Sequence, residues 1–83
     1  MIEAAQIRAA RGLLALSQVE LAEMASLSVA SVKRLETAVG LRGAAETVWK
    51  IQKALEAAGV EFIPEEAGRG PGVRLRQPQQ KRL

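Results

Sequence analysis

The side chains of this 83-residue chain that can do chemistry are almost all charged. Its nine acids are all glutamate, and its twelve bases are lysine and arginine. It has no cysteine, histidine, aspartate or tyrosine. Ser17, Ser26, Ser28 and Ser31 therefore have no imidazole to activate them as nucleophiles. The glutamates are spread along the chain without a clustered pair, and no phosphate-cradling glycine motif or metal-ligand cluster occurs. The reading is a chain with no catalytic, cofactor or metal site. Recognition by charge and hydrogen bonding is what remains. Lys33 and Arg34 stand out because they are adjacent in a short helical stretch. Arginine offers a bidentate fork and lysine a point charge. Both can reach guanine O6 and N7, or a phosphate, while a plain solvated basic face is the alternative.

These residues need a scaffold, and residues 17 to 36 supply it. Ser17 is a good N-cap, and Glu20 three residues on completes a capping box. Leu21, with Met24 or Ala25, gives the first helix of this stretch an apolar stripe. Ser26-Leu27 interrupts it, and Ser28 offers a second cap. Val32 and Leu35 turn one face of the next helix inward. Two capped helices so close in sequence must cross sharply, which is the geometry of a helix-turn-helix. Val29, Ala30, Lys33 and Arg34 then occupy the outward face of the second helix, with Ser31 near its start. Val29 and Ala30 can touch thymine methyl groups but cannot read a hydrogen-bond pattern. Ser28 caps a helix whose exposed N–H groups and dipole also suit a phosphate.

A first helix is expected over residues 4–14, with Ile7, Ala10 and Leu14 inward. Gly12 either weakens it by about 1 kcal/mol relative to alanine or marks a close approach. Leu16 precedes the Ser17 cap and can staple onto Leu21. The next helices are expected over Gln18–Ala25 and Val29–Thr37, with a loop over Ala38–Gly43. A fourth is expected over Ala44–Ala58, with Val48, Ile51 and Leu55 inward and Gly59 as its C-terminal stop. Trp49 is read as a core or interface anchor. Arg42, beside Gly43, is a phosphate candidate; Thr47 and Lys50 are weaker ones. Val60–Pro64 and Val73–Arg76 read as two strands around a Gly/Pro-rich loop, 65–72. They place Val60, Phe62, Val73 and Leu75 on one face. Arg74 and Arg76 are read as charge that guards a sheet edge, with nucleic-acid contact as the alternative. A lone hairpin is marginal, so it must pack on a helix or continue into a second subunit. Residues 60–76 are thus a candidate dimerisation element, with Val60, Phe62, Ile63, Val73 and Leu75 as its contacts.

Composition bounds the answer further. The net charge is +3, with a pI near 10.0. From Arg74 onward there are four bases and no acid. Such a balance suits a polyanion partner. No apolar run approaches the roughly 18 to 20 residues that span a membrane. Lack of cysteine suits a reducing compartment, so a cytoplasmic location is expected, nucleoid-associated when DNA is bound. Three parts are distinguished: 1–59, 60–76 and a flexible basic tail, 77–83.

Residues Ile7–Arg11, Leu16–Ala22 and Leu27–Glu36 together resemble the lambda-repressor/Cro-like (XRE) family of helix-turn-helix regulators. The resemblance covers about residues 4–58, and the two strands look like those of a subset of short stand-alone regulators. One departure is Ser26, where the family usually has glycine in the turn. The resemblance implies a mainly α fold: a four-helix lambda-repressor-like domain with a C-terminal β-hairpin or dimer-forming strands. It implies Gln18 at the DNA backbone, helping to hold the recognition helix. It also implies an ion pair between Arg11 and Glu36.

The expected function is a sequence-specific, double-stranded-DNA-binding transcriptional regulator. It would act as a homodimer on an inverted repeat, with the helix at about 29–37 in the major groove. Base contacts are assigned to Val29, Ala30, Lys33 and Arg34, and phosphate contacts to Gln18, Ser28, Ser31, Arg42 and Lys50. The alternative is a protein-interaction module, such as an antitoxin or anti-activator, that binds a protein partner through its helices or by strand addition.

Overall fold

The computed structural model describes residues 1–37 and 44–78. The expected loop at 38–43, Arg42 included, and residues 79–83 of the tail lie outside the described residues. Four helices are present: α1 (Ala4–Leu14), α2 (Gln18–Ala25), α3 (Val29–Thr37) and α4 (Ala45–Ala57). Two strands follow, β1 (Val60–Ile63) and β2 (Gly72–Leu75), paired antiparallel. No described helix is long and apolar enough to cross a membrane.

Local chemistry accounts for the helix boundaries. Ser17 Oγ accepts from the Glu20 N–H at 3.0 Å, and the Glu20 carboxylate accepts from the Ser17 N–H at 2.9 Å. That reciprocal pair also holds the Glu20 carboxyl below its usual range. α1 begins with half of that exchange, the Glu3 N–H donating to Gln6 Oε1 at 2.8 Å. It ends at Ala15, and α2 ends at Ser26, both in the left-handed region with φ of 55° and 57°. Each end closes as a Schellman motif: Leu16 N–H reaches the Arg11 carbonyl, and Leu27 N–H the Ala22 carbonyl. Ser26, at the position where glycine would be unstrained, therefore holds a left-handed turn, and Ala15 does the same. Gly59, at φ 108°, terminates α4, as its type suggests.

One apolar core joins all of these elements. Ile7, Leu21, Val32, Ile51, Leu55 and Val60 have no exposed surface. Each large aliphatic chain contributes about 1.5–3 kcal/mol through that burial. α2 packs on α3 and α4, α1 on α3 and β2, and α4 on β1. The hairpin thus lies across α1 and α4 instead of standing alone. Its register places Val60 opposite Leu75 and Phe62 opposite Val73, on the one face anticipated. On the other face Glu61 meets Arg74. At the tip, Glu66 and Arg69 exchange both backbone bonds around Ala67 and Gly68, which both have positive φ. That is a type I′ turn.

Several expectations are corrected. Trp49 is 58 % exposed and belongs to no core. It lies off the Val48–Ile51–Leu55 stripe, and the Lys53 ammonium sits 5.9 Å from its ring centre. Gly12 marks no close approach, because a Cβ there would meet nothing within 4 Å. The choice between Met24 and Ala25 resolves to Ala25, since Met24 is exposed. β2 begins at Gly72 and ends before Arg76.

Candidate nucleic-acid interface

The site is built on α3. Its inner face is Val32, Leu35 and Glu36, all buried. The helical repeat turns Ala30, Lys33, Arg34 and Thr37 the other way, and all four are exposed. Neither Lys33 nor Arg34 makes an ion pair among the described residues. The Thr37 hydroxyl donates back to the Lys33 carbonyl at 3.0 Å. Thr37 extends this face by a turn, and the sequence reading passed over it as a mere helix end. Val29, assigned to the outward face, is instead half-buried against the core. Its flank position at the helix start leaves only part of the side chain accessible.

The start of α3 is fixed by two serines. Ser28 Oγ accepts from the Ser31 N–H at 3.1 Å, and the two hydroxyl oxygens lie 3.0 Å apart. Ser28 is thus the cap that its position suggests, and Ser31 supports it.

The end of α3 is held by a buried carboxylate. Glu36 is 2 % exposed. Arg11 of α1 donates both sides of its guanidinium fork to it, Nε to Oε2 at 2.8 Å and Nη2 to Oε1 at 2.9 Å. Gln18, the first residue of α2, donates Nε2 to the same Oε1 at 3.0 Å. Arg8 donates to the Glu36 backbone carbonyl. Burial disfavours the Glu36 charge, but hydrogen bonds from Arg11 and Gln18, with the Arg11 and Arg8 charges, outweigh it. The carboxyl is held below its usual range. Arg11 is raised in turn, chiefly through its hydrogen bond to Glu36. One carboxylate therefore fastens α1, α2 and α3 together.

Gln18 spends its amide nitrogen on Glu36, in keeping with a part in holding α3. Lys50 and Thr47 are half-buried on α4. Arg74 forks onto Glu61 at 3.1 Å, and that pairing lowers the Glu61 carboxyl. Arg76 lies past β2 and donates Nη1 to the Glu56 carbonyl at 2.6 Å, satisfying the end of α4. Four of the residues assigned above to dimerisation face inward: Val60 is fully buried in the chain's own core, and Phe62, Val73 and Leu75 pack against it. Ile63 lies on the opposite face, and its carbonyl accepts from Gln6 at 3.4 Å.

Gln6 is the polar residue the sequence reading missed. It is 6 % exposed, and its Nε2 also donates to the Gly72 carbonyl at 2.9 Å. A glutamine beside the inward Ile7 and Ala10 of α1 was the available signal.

These elements define a small, mainly helical protein with a two-stranded antiparallel hairpin. No protein-family model and no curated protein sequence matches the chain significantly.

Proposed function

We propose that the protein is a sequence-specific DNA-binding regulator of the lambda-repressor/Cro-like kind, acting as a homodimer. The observation that carries this reading is α3. It offers an exposed Ala30–Lys33–Arg34–Thr37 face, while its other side is fastened to two neighbouring helices through Glu36. A helix that reads bases must present side chains in one fixed orientation, and a three-way anchor provides that. Arg34 supplies the bidentate fork for guanine and Lys33 a cation for base or phosphate. Ala30 leaves room for a thymine methyl. Ser28 and the first N–H groups of α3 suit a phosphate, and Gln18 serves α3 from inside the protein. Arg42 and Lys50 keep their assignment as phosphate contacts.

Selection from a random DNA pool tests the reading directly. An inverted-repeat consensus is expected, with half-site centres about 34 Å apart. Arg34→Ala should relax preference at one position per half-site, at about 1–3 kcal/mol per lost bidentate contact. Absence of any enriched sequence would reject the reading. A protein-interaction role is the second reading, favoured by the 58 % exposure of Trp49. Recovery of a stoichiometric protein partner without any DNA shift would support it.

A further inference from the structure

A cleft of about 510 Å³ opens between the start of α1, the middle of α4 and the end of the hairpin remote from Gly59. Small-molecule sites span roughly 300–1,000 Å³, so the cleft is large enough for a ligand. No residue of α3 lines it, which separates it from the face assigned to DNA. Its apolar surface comes from Ile2, Phe62, Pro64 and Pro71. Ile2 is buried and Phe62 packs on the core, so this wall is held in place by the fold itself.

The polar side chains of the cleft are chiefly acceptors. Glu3 and Glu65 both line it, and neither forms an ion pair among the described residues. Gln6 spends both hydrogens of its amide on the Ile63 and Gly72 carbonyls. Gln52 donates to Glu56 at 3.2 Å, and none of the described groups donates to its carbonyl oxygen. Pro64 and Pro71 have no N–H to offer. No lysine or arginine lines the cleft. Met1 does line it, but its terminal ammonium pairs with neither carboxylate. An entering anion would therefore meet two carboxylates and no basic side chain, whereas a cation finds complementary charge.

We propose that this cleft binds a small organic ammonium ion, with its apolar body against Phe62 and the two prolines and its N–H groups on Glu3 and Glu65. An ammonium group has three donors and no acceptor, which matches what the lining offers. Its bonds to carboxylates are charge-assisted, and so stronger than neutral ones. The chain as a whole carries +3, a field that draws anions to the rest of its surface. A preference for a cation must therefore arise within the cleft. The site is independent of whether α3 reads DNA.

Phenethylamine, titrated into the full chain without DNA and followed by backbone amide shifts in NMR, tests this. A Kd of about a millimolar or tighter is expected. Shifts should fall at Gln6, Gln52, Phe62 and Glu65 and spare Ala30, Lys33 and Arg34. Phenethyl alcohol keeps the body and loses the charge, and methylammonium keeps the charge and loses the body. Each should bind about tenfold more weakly or worse. Hydrocinnamate, with the charge reversed, should not shift the cleft residues at all. These comparisons need no variant. Joint Glu3→Gln and Glu65→Gln substitution should weaken phenethylamine about tenfold. Glu46→Gln removes the same kind of charge from an exposed site outside the cleft and should change nothing. Absence of shifts at the cleft residues would overturn the proposal. So would equal binding of the alcohol, a preference for hydrocinnamate, or an affinity that the joint variant leaves intact. A random DNA pool that enriches no sequence would defeat the regulator reading and leave this site standing.

Discussion

Ala15 and Ser26, like Ala67 at the hairpin tip, are residues whose type works against their own backbone. Both hold left-handed φ values at helix ends, where a Cβ crowds the carbonyl and glycine does not. Ser26→Gly and Ala15→Gly should each stabilise the fold by about 0.5–1 kcal/mol, after glycine's extra freedom in the unfolded chain is subtracted. Urea unfolding checks this, and a lower midpoint for either variant would show that the turn is not strained. Ser26 was legible in the sequence because it stands between a finished helix and a new cap. Ala15 was not. Alanine is the best helix former, and nothing in its type signals a left-handed turn.

Between elements, the connection that matters is Glu36. Arg11→Ala would leave this buried carboxylate with the Gln18 hydrogen bond and the nearby Arg8 charge. The side chain of Arg11 is itself 24 % exposed. The cost should therefore be about 2–3 kcal/mol, below the 3–5 kcal/mol of a fully buried pair. The pH dependence has a definite sign. The folded-state carboxyl is lowered. Its stabilisation is therefore complete above the unfolded value of about 4.3 and is lost as pH falls through the lower folded value. Thermal unfolding between about pH 6 and 3 should show a smaller acid loss for Glu36→Gln than for the parent chain. Equal slopes would show that Glu36 is not the acid-sensitive anchor. The helices were legible to within a residue or so because caps, stops and apolar spacing agreed with one another. The ion pair was legible only through resemblance. Its two residues lie 25 positions apart, and no local pattern links them. The role of Arg76 at the end of α4 was hidden for the same reason, since alternation along a strand says nothing about a neighbouring helix.

At the scale of the whole molecule, the sequence showed that the hairpin needed support but not where it would come from. The buried Val60 gives one answer and Gln6 the other. Cutting the chain after Gly59 would remove core as well as hairpin, so point substitutions are the better probe of assembly. Gln6 has a further consequence, and it concerns time. Its two acceptors lie 57 and 66 residues further along the chain. Contacts among the helices close shorter loops than these, and closing long loops is the slow part of folding. The helices should therefore consolidate first, with the hairpin docking after the rate-limiting barrier. Gln6→Ala should then accelerate unfolding and leave the folding rate nearly unchanged, a φ-value near zero in stopped-flow chevrons. A slowed folding limb would place the hairpin in the nucleus instead. On this account Gln6 acts as a late latch, setting how long the finished protein lasts and not how quickly it forms.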